Sequence, residues 1–187
     1  MRAALATLLA LGVAVSPSIA RADDEAQTET ASAQKFVPRV ELHAAGGPAF
    51  RSVFGLPLVM GSGELGVGAH VVENLAVGAA LGYEEGTTPH GLRARMLTLT
   101  PSFDGVVDRF RFGAGLPIAG LALYRVTNGR AITPHVGLGL RVSASFDILR
   151  TDTVALFLGA RGEMEWMFPS AIFGATGLLG IRFSPLP

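Results

Sequence analysis

The sequence has no cysteine, so neither a disulfide framework nor a thiolate metal site is open to it. Charge of either sign is scarce. Its 15 basic side chains are matched by 15 acidic ones, a balance that gives no electrostatic reason to bind nucleic acid. Long apolar runs are missing as well. Beyond the N-terminal region the longest uncharged apolar stretch, Phe112 to Tyr124, has 13 residues and contains Pro117 and three glycines. A spanning helix needs about 20. No nucleotide-binding glycine loop is present either: Gly66-Val67-Gly68 and Gly137-Leu138-Gly139 fall inside alternating segments, not at a strand-to-helix turn.

What is abundant is apolar residue, at 49%, and glycine, at 24 residues. A chain this apolar without a spanning helix must shelter its surface in another way. The N-terminus accounts for part of it. Arg2, the apolar stretch Ala3 to Val15 and the small-x-small triplet Ala20-Arg21-Ala22 have the layout of a secretory signal peptide, cut after Ala22. Residues 1–22 are therefore expected to be a signal peptide. Residues 23–35, polar and with four carboxylates, are expected to be a disordered lead, and 36–187 the folded domain. Removing Arg2 and Arg21 leaves 13 basic and 15 acidic residues, a net charge of −2.

From Val37 onward the apolar residues recur with a period of two. Val40, Leu42 and Ala44 alternate with Glu41 and His43; Leu65 to Val71 with Glu64, Gly66, Gly68 and His70; Leu75 to Tyr83 with Ala76, Gly78, Ala80 and Gly82. Leu97 to Phe103 and Phe110 to Leu116 continue the pattern, the latter opposite Arg109 and Arg111. Pro134 to Val142 oppose His135 and Arg141, Val154 to Ala160 oppose Arg161, Glu163 and Glu165, and Phe173 to Phe183 oppose Arg182. Eight segments result. Short polar connections (Glu73-Asn74, Asp104–Asp108, Asp147–Asp152) alternate with connections expected to be longer (Phe50–Ser62, Glu84–Gly91, Arg125–Arg130), Met167–Ser170 being a short exception. A bulge or tilted strand end is expected at Pro117, which cannot donate to a ladder.

Alternation alone does not separate a soluble barrel from a membrane one. Here one face is Leu, Val, Phe and Ile, and the other Gly, Ala, Thr, Arg, Glu and His. Eight strands enclose a bore just wide enough for side chains, too narrow for all the large apolar residues. The apolar face must then point to lipid, which only helices and closed barrels can enter with their backbones satisfied. Leu138 is expected near the bilayer midplane. Tyr83, Phe103, Phe110, Tyr124, Trp166, Phe173 and Phe183 stand where interface girdles belong.

With these segments the chain resembles the small eight-stranded outer-membrane β-barrels, including the OmpA-like transmembrane domain, over Phe36 to Phe183. The final strand, with Gly177 and the terminal aromatic Phe183, looks like the signal read by the barrel-assembly machinery, although Ser184-Pro185-Leu186-Pro187 follow it. The resemblance implies an all-β, eight-stranded antiparallel up-and-down transmembrane β-barrel in the outer membrane of a Gram-negative bacterium. Its implied partners are outer-membrane lipid and, during insertion, the assembly machinery.

Candidate chemistry is thin. Glu41, His43 and His70 could meet inside the first hairpin, Glu41 roughly opposite His70, but a zinc site needs three or four convergent ligands, so no metal and no cofactor is expected. Lipid-modifying barrels use a His with a Ser or carboxylate; no Ser lies two residues from a His here, and His90 sits in a loop. The favoured reading is a non-enzymatic barrel with a structural or surface-interaction role. A lipid A acyltransferase or deacylase and a narrow solute pore are the alternatives. The apolar connection Phe50–Ser62 is expected to fold over the mouth as a plug, in preference to forming a partner-binding patch. Inside, Glu41, His70, Arg141, Arg161, Glu163, Glu165 and Arg182 are expected to form one charged network that closes the bore, with Glu41 meeting Arg182 across the seam.

Overall fold

The structure, a computed structural model, describes residues 39–88, 91–125 and 131–184. The expected signal peptide and polar lead lie outside these residues, as does His90. Nine strands run in chain order: β1 (Val40–Val53), β2 (Leu56–Val72), β3 (Leu75–Thr87), β4 (Leu92–Val107), β5 (Phe110–Gly115), β6 (Ile118–Arg125), β7 (Ala131–Arg150), β8 (Val154–Met167) and β9 (Ser170–Phe183). All pairings are antiparallel. β1 also pairs with β9, from Leu42 with Phe183 to Ser52 with Phe173, so the sheet closes on itself and has no free edge. β5 and β6 both lie between β4 and β7 and together make one traverse. The ring therefore has eight traverses, an up-and-down barrel.

Pro117 does not cause the bulge expected of it. On β4, Gly115 faces Ser102 and Ile118 faces Leu99, the same register on both sides of the break. Proline costs the ladder one donor, but its carbonyl still accepts from the Gly139 amide at 2.8 Å, and the Leu116 amide donates to Pro101 at 3.0 Å. The strand runs straight through. Register shifts occur instead at His70/Val72, Leu121/Leu123 and Asp147/Leu149.

The expected connection Phe50–Ser62 is not a loop. β1 and β2 stay paired until Val53 faces Leu56, around a two-residue turn of Phe54 (φ 51°) and Gly55 (φ 80°). Positive φ at both central positions suits the twist of a tight hairpin, although an aromatic residue rarely adopts it. β3 likewise runs to Thr87, β4 to Val107 and β7 to Arg150, beyond the ends the sequence suggested. The middle of β7 consequently falls near Leu140, not Leu138. In each case turn-forming residues misplace the boundary, because cross-strand pairing continues through them.

The outer surface is apolar. Leu65, Val67, Leu81, Leu97, Leu99, Leu138, Leu140, Leu158, Leu179 and Ile181 are all exposed on it, while Glu41, Arg51, Glu84, Arg141, Arg161, Glu163, Glu165 and Arg182 are buried in the bore. That is the inverse of a soluble barrel. Val40 and Phe183 lie at one rim with the turns 73–74, 108–109 and 151–153, here called the inner end; Thr87, Leu92, Arg125 and Ala131 lie at the other, the outer end.

Candidate functional site

Among the described residues the buried charged side chains gather in the bore, which inward parity builds in three layers. At the inner end, Arg111 on β5 grips Glu41 on β1 with two bonds of 2.8 and 2.7 Å. Arg182 on β9 lies 3.2 Å from Glu41 across the β1–β9 seam and bonds Asp147 on β7 at 2.5 Å. The Arg182 guanidinium also stacks over the lumen-facing ring of Phe157, 4.4 Å from its centroid. His70 stands 3.6 Å from Glu41.

The middle layer holds three guanidiniums and four carboxylates. Arg51 on β1 donates to both oxygens of Glu84 on β3 at 2.7 Å, to Glu163 on β8, and to Glu165 on β8 at 3.4 Å. Arg141 on β7 bonds Glu163 and reaches Glu64 on β2 at 2.7 Å. Arg161 on β8 bonds Glu64 at 2.6 Å and Glu84 at 2.7 Å, and lies 3.4 Å from Glu163. His43 sits beside Glu64 at 3.4 Å. Arg51, Glu163 and Glu165 have fully buried side chains, so each depends on these partners for its solvation.

Small residues make room for the large ones. A side chain at Gly174, which faces Arg51 across the seam, would run into that guanidinium, and one at Gly66 would meet the His43 ring. Much of the glycine excess on the inward face has this meaning: neighbours on adjacent strands fill the space.

Above the charges, at the outer end, the bore is oily. Ala49, Val53, Leu58, Met60, Ala94, Met96, Ala119, Leu121, Met167 and Ile172 form one buried cluster, with Phe54 and Leu123 packed on it. The Phe54 ring meets His135 edge-on at 5.2 Å. Apolar residues of the Phe50–Ser62 segment do occupy the mouth, but as inward-facing strand positions rather than as a folded-over loop.

All seven residues named from sequence line the bore. Glu41, His70 and Arg182 fall in the inner layer; Arg141, Arg161, Glu163 and Glu165 in the middle one, and no ion pair among the described residues joins the two layers, so the single network expected from sequence is two. Glu41 faces Gly68 across β1–β2 rather than His70, and His43 and His70 meet different carboxylates, so the trio does not converge on a metal. Sequence reasoning left Arg51, Glu64, Glu84, Arg111 and Asp147 out of the network. Parity could have found them: Arg51 continues Glu41 and His43, Glu84 continues Gly82, and Asp147 continues Arg141, Ser143 and Ser145. Arg51 and Glu84 were hidden inside expected loops. The described histidines meet carboxylates or an aromatic ring rather than a hydroxyl, which leaves none poised to activate a nucleophile.

No family model matches the chain, and no curated protein does. Solved structures do. Neisserial surface protein A is 16% identical with a TM-score of 0.52, over 78% of this chain and 96% of that one. Ail, the attachment invasion locus protein of Yersinia pestis, is 9% identical with a TM-score of 0.54, over 79% and 97%. The N-terminal barrel domain of Pseudomonas aeruginosa OprF is 13% identical with a TM-score of 0.50, over 79% and 97%. The chain thus has the fold of the small outer-membrane barrels, and its apolar belt is the surface of a barrel that faces lipid.

Proposed function

We propose that this outer-membrane β-barrel is a closed, non-enzymatic scaffold with a structural or surface-interaction role, its bore sealed against solutes. The observation that carries this reading is the filling of the bore. Arg51 sits between Glu84, Glu163 and Glu165 in the middle, and an apolar cluster of Leu58, Met60, Met96, Leu121, Met167 and Ile172 lies above it. An ion crossing would have to separate paired buried charges and then pass an oily layer, both costly. A lipid-modifying enzyme would need an activated nucleophile, which the environments of the described histidines, His43, His70 and His135, do not supply.

The experiment is planar-bilayer recording of the purified, folded protein. The expected result is no stable unitary conductance, with unchanged silence when Met96 or Leu121 is replaced by alanine, because the charged layer remains. Stable, ion-selective steps in the wild type would instead establish a pore.

A further inference from the structure

The apolar outer surface is interrupted in one sector. Among the outward-facing positions of the described strands, short of the strand end at Arg150, charge occurs at Glu85 on β3 and at Arg93 and Arg95 on β4. Register brings them together: Glu85 faces Arg95, and Thr87 faces Arg93, whose other neighbour is Tyr124 on β6. The next outward pair toward the inner end is Tyr83 and Leu97, where the lipid-facing belt begins. The patch therefore sits at the outer rim of the belt, at the level of the outer-leaflet headgroups.

We propose that this β3–β4–β6 sector binds a phosphate of an anionic glycolipid headgroup in the outer leaflet. The reading rests on the chain spanning the outer membrane, and is independent of whether the bore conducts. Two guanidiniums share a single carboxylate: Glu85 bonds Arg93 and lies 3.5 Å from Arg95, leaving a net charge of +1 in the cluster. Both arginines are nearly half exposed, at 48% and 43%, so donors remain free to a ligand approaching from the lipid side. Their planes are held in advance. Arg95 lies over the Tyr124 ring, 5.4 Å from its centroid, and Glu85 is itself fixed by the Tyr83 hydroxyl at 2.5 Å. Planar guanidinium forks match phosphate oxygens in pairs, and cost less to order when already stacked.

The occupant is taken to be a lipid phosphate rather than a soluble protein, because the patch faces sideways, continuous with the belt, and not outward from the mouth. A bilayer interface is also where a charge strengthens: partly desolvated ion pairs are screened less than exposed ones.

Native mass spectrometry of the purified barrel in detergent tests the proposal. The probes are bis-phosphorylated lipid A, the same lipid with its phosphates removed, and inorganic phosphate. Heat-modifiable gel migration checks that each protein is folded; its absence in the wild type would mean that the membrane-barrel reading, not the lipid site, has failed. The expected result is selective binding of the phosphorylated lipid by the wild type. Affinity should fall about tenfold in Arg93→Gln/Arg95→Gln, since charge-assisted bonds of this kind are lost. Glu85→Gln should bind more tightly, because the carboxylate that competes for both arginines is gone. Equal binding of the two lipids, inorganic phosphate binding as tightly as the phosphorylated lipid, or a folded double variant with unchanged affinity would each overturn the proposal. If the double variant does not fold, the wild-type comparison of lipids and the Glu85→Gln variant decide.

Discussion

Replacing Arg51 by methionine tests the bore more sharply than any other change. Methionine matches the arginine stem as far as Nε, so the stem packing beside Gly174 is kept while the guanidinium and its charge are removed. Three carboxylates lose a partner, but not equally. Glu84 keeps Arg161 at 2.7 Å, and Glu163 keeps Arg141 and Arg161. Glu165, fully buried, is reached among the described residues only by Arg51. It would be stranded. Breaking a buried pair so that one charge is left alone costs about 3–5 kcal/mol. The double variant Arg51→Met/Glu165→Leu should recover much of that loss, since swapping both members for apolar residues is close to neutral. Glu163→Ala, by contrast, leaves every guanidinium with a carboxylate: Arg51 keeps Glu84 and Glu165, Arg141 keeps Glu64, and Arg161 keeps Glu64 and Glu84. Its cost should be smaller than that of Arg51→Met. Equilibrium urea unfolding in lipid vesicles, followed by the fluorescence of Trp166, the single tryptophan, gives each difference by linear extrapolation. The reasoning is refuted if Arg51→Met lies within about 1 kcal/mol of wild type, or if the double variant is no more stable than the single one.

Two further outcomes follow from the same geometry. Gly174→Val should destabilise by about 1–3 kcal/mol through collision with Arg51, and the penalty should shrink in the Arg51→Met background; equal penalties in both would refute the contact. Leu140→Arg, at the middle of β7 on the lipid face, should cost about 2–4 kcal/mol in vesicle unfolding, and wild-type stability would contradict the facing assignment.

Much of this was legible in the sequence, because a strand has only two faces. Once Leu65, Val67, Ala69 and Val71 are assigned outward, Glu64 and His70 must point in, and the same holds along β7 to β9. What the sequence concealed were strand ends. Phe54-Gly55 and Thr88 to Gly91 look like parts of long loops, since Pro57, Gly61, Gly63, Gly86 and Pro89 are ordinary turn residues. Inside a closed barrel Gly61, Gly63 and Gly86 are held in the ladder from both sides, and Pro57 from one. Extending inward parity by one position would have placed Glu84 and Met96 in the bore, by two Met60, by three Leu58 and by four Arg51. Which carboxylate each arginine would choose was not legible. That depends on which strands face one another across the ring, and only closure between β1 and β9 fixes it.

The ion pairs also have a mechanical meaning. In a ring of eight traverses, those four apart are diametrically opposed, and because β5 and β6 share one traverse, three of the pairs join such strands: Arg141 on β7 with Glu64 on β2, Arg161 on β8 with Glu84 on β3, and Arg111 on β5 with Glu41 on β1. These side chains act as spokes. Backbone ladders fix only the circumference of a cylinder and leave it free to flatten. Spokes along three diameters oppose that, because stretching any one axis of the cross-section lengthens a bonded pair. Lateral pressure from the surrounding bilayer is therefore resisted across the diameter of the molecule as well as around its wall.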